Sequence, residues 1–453
     1  MLNRRAFLAG LAGTAAAGPA AALPSGIETA SIRGTLDAAE LGLRPGVYDD
    51  QSEAFARILA KAAERDAPVH LPPGDYVVSN IVLPRRLRLV GVPGASRILY
   101  GGDGHLFLAE AADHLEFSGL LLDGANHRLG DHVDGLLTVH GARHLVVDNC
   151  RLLGSGKNAL ALEAVAGRIE RSHISGAAEA GIYSVQAAGL AIAGNTVTDC
   201  ANGGILVHRW QAGPDGTLVT GNRVARIAAQ RGGTGQYGNG INLFRADGAV
   251  VTGNHVSDCA FSAIRANAAG NLQVASNTCL RSGETALYAE FAFEGAVISG
   301  NIVDGGANGI SVVNFNDGGR MATVSGNLVR NLSTEGPYPA DPPGFGVGIT
   351  VEADTAVTGN VVENAPLYGL KLGWGPFMRN VVATGNVVRG APTGIAVSVV
   401  EGTGAAVVAD NVIDGAARGA VVGYRWIEAA TDDLAAGGRH TARHLTVAGN
   451  QVS

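Results

Sequence analysis

Four charged residues, Arg265, Glu290, Glu352 and Lys371, fall inside short, otherwise apolar stretches such as "SAIRAN" (262–267), in a chain with only 16% charged residues. Two carboxylates and two cations on one surface support two kinds of reaction. Glu290 and Glu352 are expected two repeats apart, about 9–10 Å at the backbone. Their carboxylates would then reach the ~6.5–9.5 Å separation of an inverting glycosidase. Alternatively, Arg265 or Lys371 neutralises a uronate while a second basic group or Tyr288 removes the adjacent proton, giving β-elimination. A third reading makes them a solvated ladder, Arg265 with Glu290 and Glu352 with Lys371, that adds little stability.

These four are the candidate catalytic residues. His208, Arg209, Tyr237, Asn242, Arg245, Asn267, Tyr288, Asn314, Asn316 and Trp374 are the candidate substrate-binding residues. His208 is a second candidate base, and Trp210, Trp374 and Tyr288 suit stacking on a sugar ring. No cofactor or metal is expected: Glu290, Glu352 and Asp354 are the set that would hold Ca²⁺, and they do not form a compact cluster in the sequence.

What brings these residues together is a repeat. Gly-Asn-x-Val recurs at 194, 221, 253, 300, 326, 359, 385 and 449, with weaker copies at 148, 171, 276 and 410. The base period is 23–26 residues, lengthened by insertions. That length suits a solenoid and is too short for propeller blades. Each period reads as a short strand, a Gly-Ile strand and a strand ending at Gly-Asn, with no helical spacing and no leucine-rich pattern. The expected fold is all-β: a right-handed parallel β-helix, each repeat one coil. The asparagines (Asn149, Asn195 and onward, with Ser172 substituting in one coil) are expected to stack as a ladder of amides at one corner.

Aligning the Gly-Ile strands on Ile182, Ile205, Ile241, Ile264, Leu287, Ile310, Ile349, Leu370 and Ile395 sorts inward from outward positions, because side chains alternate along a strand. The first outward column reads Tyr183, Leu206, Asn242, Arg265, Tyr288, Ser311, Thr350, Lys371, Ala396. The second reads Val185, His208, Phe244, Asn267, Glu290, Val313, Glu352, Gly373, Ser398. Polar and aromatic members concentrate between the coils of His208 and Lys371. Insertions at 209–216, 228–240 and 333–346 fall on these coils and would wall a groove.

The 66 glycines fit such a glycine-punctuated chain, and the net charge of −7, without a lysine/arginine run, argues against a nucleic-acid partner. Arg4 and Arg5, followed by Phe7 and Leu8 and a weakly apolar Ala/Gly/Leu segment, read as a twin-arginine signal over residues 1 to about 22. The mature chain is therefore expected in the periplasm or outside the cell, with no membrane span. Residues 23–100 should form an N-terminal cap and the first coils, and 101–453 the β-helix repeats. In the cap, Phe55, Ile58, Leu59, Ala62 and Ala63 predict an amphipathic helix over 52–65 with Ser52 as N-cap, covering the open end of the first coil. The register keeps Cys150, Cys200, Cys259 and Cys279 apart, so free thiols are expected. The last coil needs a cap from residues 424–444 or from a partner.

The segment "DDQSEAFARILAKAAERDAPVHLPPGDYVV" resembles the N-terminal cap of pectate-lyase-like β-helix proteins. The whole chain resembles the twin-arginine-translocated uncharacterised repeat protein family of proteobacteria, through "LGLRPGVYDDQSEAF", "GGTGQYGNGINLFRA", "AFSAIRAN", "ALYAEFAFEGAVI", "VNFNDGGR", "VEADTAVTGNVVENAP" and "GWG". The resemblance implies the fold and the export route, and no reaction. The Asn-Thr-Asp, Gly-Asp-Asp and Arg-Ile-Lys motifs of polygalacturonases are missing. So is the Tyr-Gly-x-Asp-Pro-His of mannuronan epimerases, whose nearest string here is "QYGNG" at 236. The functional expectation is a carbohydrate-active enzyme, lyase or hydrolase, acting on a polysaccharide or envelope glycan in the groove. The alternative is a glycan- or envelope-binding repeat protein without turnover.

Overall fold

In a computed structural model the described residues are 34–437 and 442–453. The signal segment lies outside them. Leu36–Ser453 form a parallel β-helix of two long sheets, one of 29 strands and one of 16. Its pairings are parallel, apart from a hairpin at Tyr424–Ala429 and an isolated Trp374–Phe377 bridge. The strand pairing reproduces the first outward column in full and the second as far as Glu290. Tyr183, Leu206, Asn242, Arg265, Tyr288, Ser311, Thr350, Lys371 and Ala396 are successive partners. Val185, His208, Phe244, Asn267 and Glu290 form the second. The aligned isoleucines and leucines are buried, because each coil completes its core only against its neighbours.

The corner ladder forms. From Asn195 to Asn411, the backbone N–H and side-chain Nδ2 of each asparagine donate to Oδ1 of the asparagine one coil later, at 2.9–3.1 Å. The weaker first copy differs from expectation. The ladder position there belongs to Cys150, whose N–H donates to Ser172 Oγ at 3.1 Å. Asn149, at φ 51°, instead makes the left-handed turn that Gly194 makes at φ 65°.

Helix α1 (Ser52–Arg65) buries Phe55, Ile58, Leu59 and Ala62, and Phe55 stacks on Phe107. Its N-cap position is Gln51, not Ser52, and neither side chain caps the helix as expected. Asp50 Oδ1 accepts the Ser52 N–H instead, and Ser52 Oγ is drawn to the Ser79 N–H on the neighbouring coil. At the other end, residues after the Tyr424–Ala429 hairpin fold over the last Gly-Ile strand. Leu434 donates its N–H to Val421 O, and the Asp433 carboxylate takes the N–H groups of Ala420 and Val421. All four cysteines are buried free thiols.

Candidate functional site

Arg265 stands in the strand Ile264–Asn267 and Glu290 ends the next one, Thr285–Glu290. The guanidinium Nε donates to Glu290 Oε1 at 2.6 Å, and Asn267 Nδ2 donates to the same oxygen at 2.9 Å. A third group, absent from the sequence reading, completes the cluster. Glu284, at the corner that leads into the Glu290 strand, takes Arg265 Nη1 on its Oε2 at 3.5 Å. Its Oε1 accepts the Tyr338 hydroxyl at 2.6 Å. Arg265 also lies 5.1 Å from the centre of the Tyr288 ring.

Two insertions bury this cluster. The segment 333–346 reaches back over earlier coils, wedging Tyr338 between Phe261 and Phe345. The segment 228–240 reaches forward, fixed by Asn239 Nδ2 on Gly235 O at 2.8 Å. Gly235, at φ +125°, lies so close that a Cβ there would collide with the Arg265 guanidinium. The side chains of Arg265, Glu284 and Glu290 are 11%, 3% and 2% exposed. The expectation of a solvated ladder is therefore overturned: the ions are shut away from water, where Coulomb attraction and desolvation are both strong.

Burial sets the chemistry of each group. It pushes the Glu284 carboxyl above the usual carboxylate range, partly opposed by the Tyr338 hydroxyl and the Arg265 charge. Burial opposes the Arg265 charge too, but the two carboxylates outweigh it and the guanidinium holds its proton more tightly than usual. Tyr288 is pushed up, chiefly by burial.

Beside the cluster opens a cavity of about 440 Å³ lined by His208, Asn242, Phe244, Arg265, Asn267, Phe291 and residues 234–236. His208 is held edge-on between Tyr183 and Phe244, and burial lowers its pKa to about 4. His208 Nε2 and Asn242 Oδ1 have no hydrogen-bond partner among the described residues. Arg245 lies on the Phe244 ring at 4.7 Å and donates to Trp210 O at 2.6 Å. Trp210 belongs to the 209–216 insertion, which is no open loop: the strand runs on from Gly203 to Pro214 with one shift of register.

The remaining candidates stand apart. Glu352 is two coils beyond Glu290, and its Oε2 accepts the Phe315 N–H at 2.8 Å under the short turn Phe315–Asp317. Burial raises its pKa. Lys371 makes no ion pair with Glu352. Its Nζ sits 4.5 Å over the Trp374 ring, and burial lowers its pKa to about 8. Trp374 packs edge-on against Trp426 around a void of only about 10 Å³, too small for a ligand. Glu290 and Glu352 thus keep the expected two-coil spacing, each already engaged by its own donors, and Lys371 stands three coils beyond Tyr288. Arg209 faces Asp215 at 3.6 Å, and Tyr237 lies beneath Arg231 at 5.9 Å. Asn314 Oδ1 accepts the Phe291 N–H, and Asn316 bonds Asp317. The Ca²⁺ set is also dispersed. Asp354 pairs with Arg379 and Asn380, and among the described residues no three His, Cys, Asp or Glu side chains gather as metal ligands.

A family model for the right-handed beta helix region matches residues 124–224. Among curated proteins nothing matches. Among solved structures, the bacteriophage Phi29 gene product 12 N-terminal fragment is similar at 17% identity and TM-score 0.49, over 85% of this chain and 68% of that one. The catalytic unit of the GH87 alpha-1,3-glucanase from Streptomyces thermodiastaticus strain HF3-3 is similar at 14% identity and TM-score 0.42, over 93% and 69%. DFA-IIIase from Arthrobacter chlorophenolicus A6 without its lid is similar at 16% identity and TM-score 0.44, over 84% and 99%. None of the three decides the chemistry of the groove.

Proposed function

We propose that this chain is an exported carbohydrate-active protein that binds a glycan in the groove beside Arg265 and hydrolyses it with Glu284 and Glu290. One observation carries the reading: a single guanidinium joins two buried carboxyl groups of unlike surroundings at the edge of an aromatic-lined cavity. The flanking oxygens are at most ~8 Å apart, two contacts plus the width of a guanidinium, within the ~5–9.5 Å used by glycosidases. Glu284, pushed up by burial, is the acid that protonates the glycosidic oxygen as the C–O bond breaks. Glu290, with two donors on one oxygen, is the carboxylate that takes the proton of the attacking water or itself bonds the anomeric carbon. Environments that drive two carboxyl groups apart mark such a division of roles. Phe244 and Phe291 supply faces for a sugar ring, and Asn242, with its free Oδ1, an acceptor for a hydroxyl. Hydrolysis is preferred to elimination because Tyr288, the base beside Arg265, is pushed up by burial and so holds its proton, while Lys371, the amine with a lowered pKa, lies three coils beyond it. Export through the twin-arginine route and membership of the twin-arginine-translocated repeat family are part of the proposal, supported by Arg4, Arg5, Phe7 and Leu8.

The experiment incubates the mature protein with polyuronates and neutral glycans, following reducing ends and unsaturated-product absorbance together. Reducing ends without new absorbance are expected, with Glu284→Gln and Glu290→Gln each lowering turnover ~10²–10⁴-fold while binding persists. New absorbance would replace hydrolysis by elimination, and full activity in either variant would remove that residue from the mechanism. The slight exposure of both carboxylates behind Arg265 favours a second reading, glycan capture without chemistry. Binding with no turnover in the unmodified protein would establish it.

A further inference from the structure

The Gly-Asn edge of the solenoid carries surface that neither the groove nor the core uses. On the strands before the corner, one outward column reads Leu218, Val250, Gln273, Val297, Thr323, Ala356, Val382 and Val407, each paired to the next. Two residues on, the column is equally free of charge, from Thr220 through Ala275 and Ser299 to Thr384 and Ala409. Past the corner, Ile302, Leu328, Val361, Val387 and Val412 form another column. Leu218, Val297, Val382, Val407, Ile302, Val361, Val387 and Val412 are each 36–44% exposed. The coils from Gln273 to Val382 also border a groove of about 840 Å³.

Ion pairs line both margins. Glu294–Arg320 and Asp354–Arg379 run along one, and Asp304–Arg330 and Glu363–Arg389 along the other. An apolar centre inside a polar rim is the anatomy of a protein interface, and a soluble protein rarely exposes so long a contiguous apolar surface without a partner for it.

We propose that this edge is the interface through which two copies of this chain associate side by side. The occupant follows from spacing, charge and area. Uncharged side chains recur here every ~4.8 Å over eight coils, ~34 Å along the axis, apolar in the first column except at Gln273 and Thr323, a period that a second copy reproduces along its whole length. The rim cations are already matched by rim anions, so the surface has no net charge with which to select an anionic membrane or a strongly charged partner. Its columns hold no aromatic platform for a glycan, and its hydroxyls lie chiefly in the single row from Thr220 to Thr384. The chain from Val297 to Ile302 spans at most ~17 Å, so the strip covers at most ~600 Å² per copy and ~1,200 Å² for a pair, the lower end of specific interfaces. A two-fold axis places each residue in the contact twice, which predicts a reversible, concentration-dependent dimer. This inference is independent of what the Arg265 groove binds.

Sedimentation velocity on the mature full-length chain over a dilution series tests it. A monomer–dimer equilibrium is expected, weakened at least about tenfold by Val297→Asp together with Val387→Asp, with unchanged circular dichroism. Gln273→Arg, at a polar position in the middle of the strip, should weaken it in the same direction without removing an apolar group. Val82→Asp, at a still more exposed valine on an early coil, should leave it unaltered. A wild type that stays monomeric at its solubility limit, a dimer indifferent to the edge substitutions, or one equally disturbed by Val82→Asp would overturn the proposal.

Discussion

Removing the Arg265 guanidinium while keeping its stem, in Arg265→Met, strands two carboxyl groups whose side chains are 3% and 2% exposed. Breaking a buried pair from one side costs about 3–5 kcal/mol, because the surviving charge has neither water nor partner. Tyr338 and Asn267 still donate to the two carboxylates, so the loss should fall in that range and not at twice it. Without the cation, which opposes the upward push of burial on Glu284, the folded chain holds a proton on Glu284 at a higher pH than the unfolded chain does. The folded variant then binds more protons as pH falls, and its deficit should shrink from about pH 8 to about pH 5. Adding Glu284→Gln and Glu290→Gln removes the stranded charges and should restore most of the stability at both pH values. Urea unfolding followed by tryptophan fluorescence and circular dichroism measures this, and the two probes must coincide because solenoids can unfold piecewise. A loss below about 1 kcal/mol at pH 8, or a deficit that grows on acidification, would refute the reasoning from burial.

Two further outcomes follow from the same physics. Asn301→Ala removes the acceptor for the N–H and Nδ2 of Asn277 and the donor to Val274 O and Asn327 Oδ1; at about 1–3 kcal/mol per stranded group, a loss of several kcal/mol should appear in urea unfolding, and one below 1 kcal/mol would deny the ladder its role. The His208 imidazole, lowered to about 4 by burial, gains a proton more readily in the unfolded chain, so stability should fall as pH drops from about 6.5 towards 4, by up to ~3 kcal/mol. Thermal melts of the wild type and His208→Gln over that window isolate this contribution, and parallel curves would contradict it.

The scaffold was legible because one short motif marks every coil. Gly-Asn fixed the frame, and strand alternation then assigned Arg265, Tyr288 and Lys371 to one column and His208, Asn267 and Glu290 to another. What escaped lies off the strands. Glu284 occupies a corner, where alternation gives no direction, and its partner Tyr338 arrives from an insertion 54 residues later. A glutamate opening the strand that ends in Glu290 was the available signal. Glu352 was read as Lys371's partner from spacing alone, but the Phe315–Asp317 turn interposes a backbone N–H. Asn149 was misplaced by one residue because asparagine, like glycine, accepts the left-handed turn, so two asparagine roles look alike in sequence.

The corner ladder also gives the molecule a direction of growth. Each asparagine's backbone N–H and one hydrogen of its side-chain amide are satisfied by the coil that follows, while the other amide hydrogen goes back to a carbonyl of the coil before, as Asn301 Nδ2 does to Val274 O. A chain emerging from its N-terminus therefore always carries two unmet donors at its newest coil, and each added coil quenches them while presenting two more. Removing coils from the C-terminal end exposes two donors at the new boundary, whereas trimming from the N-terminal end frees one amide oxygen and a single amide hydrogen, and an idle lone pair is tolerated better than an isolated N–H. Premature stops and nicks near the C-terminus should therefore be punished more than equal losses at the front, and the solenoid is set to zip forward, in the order in which it is made.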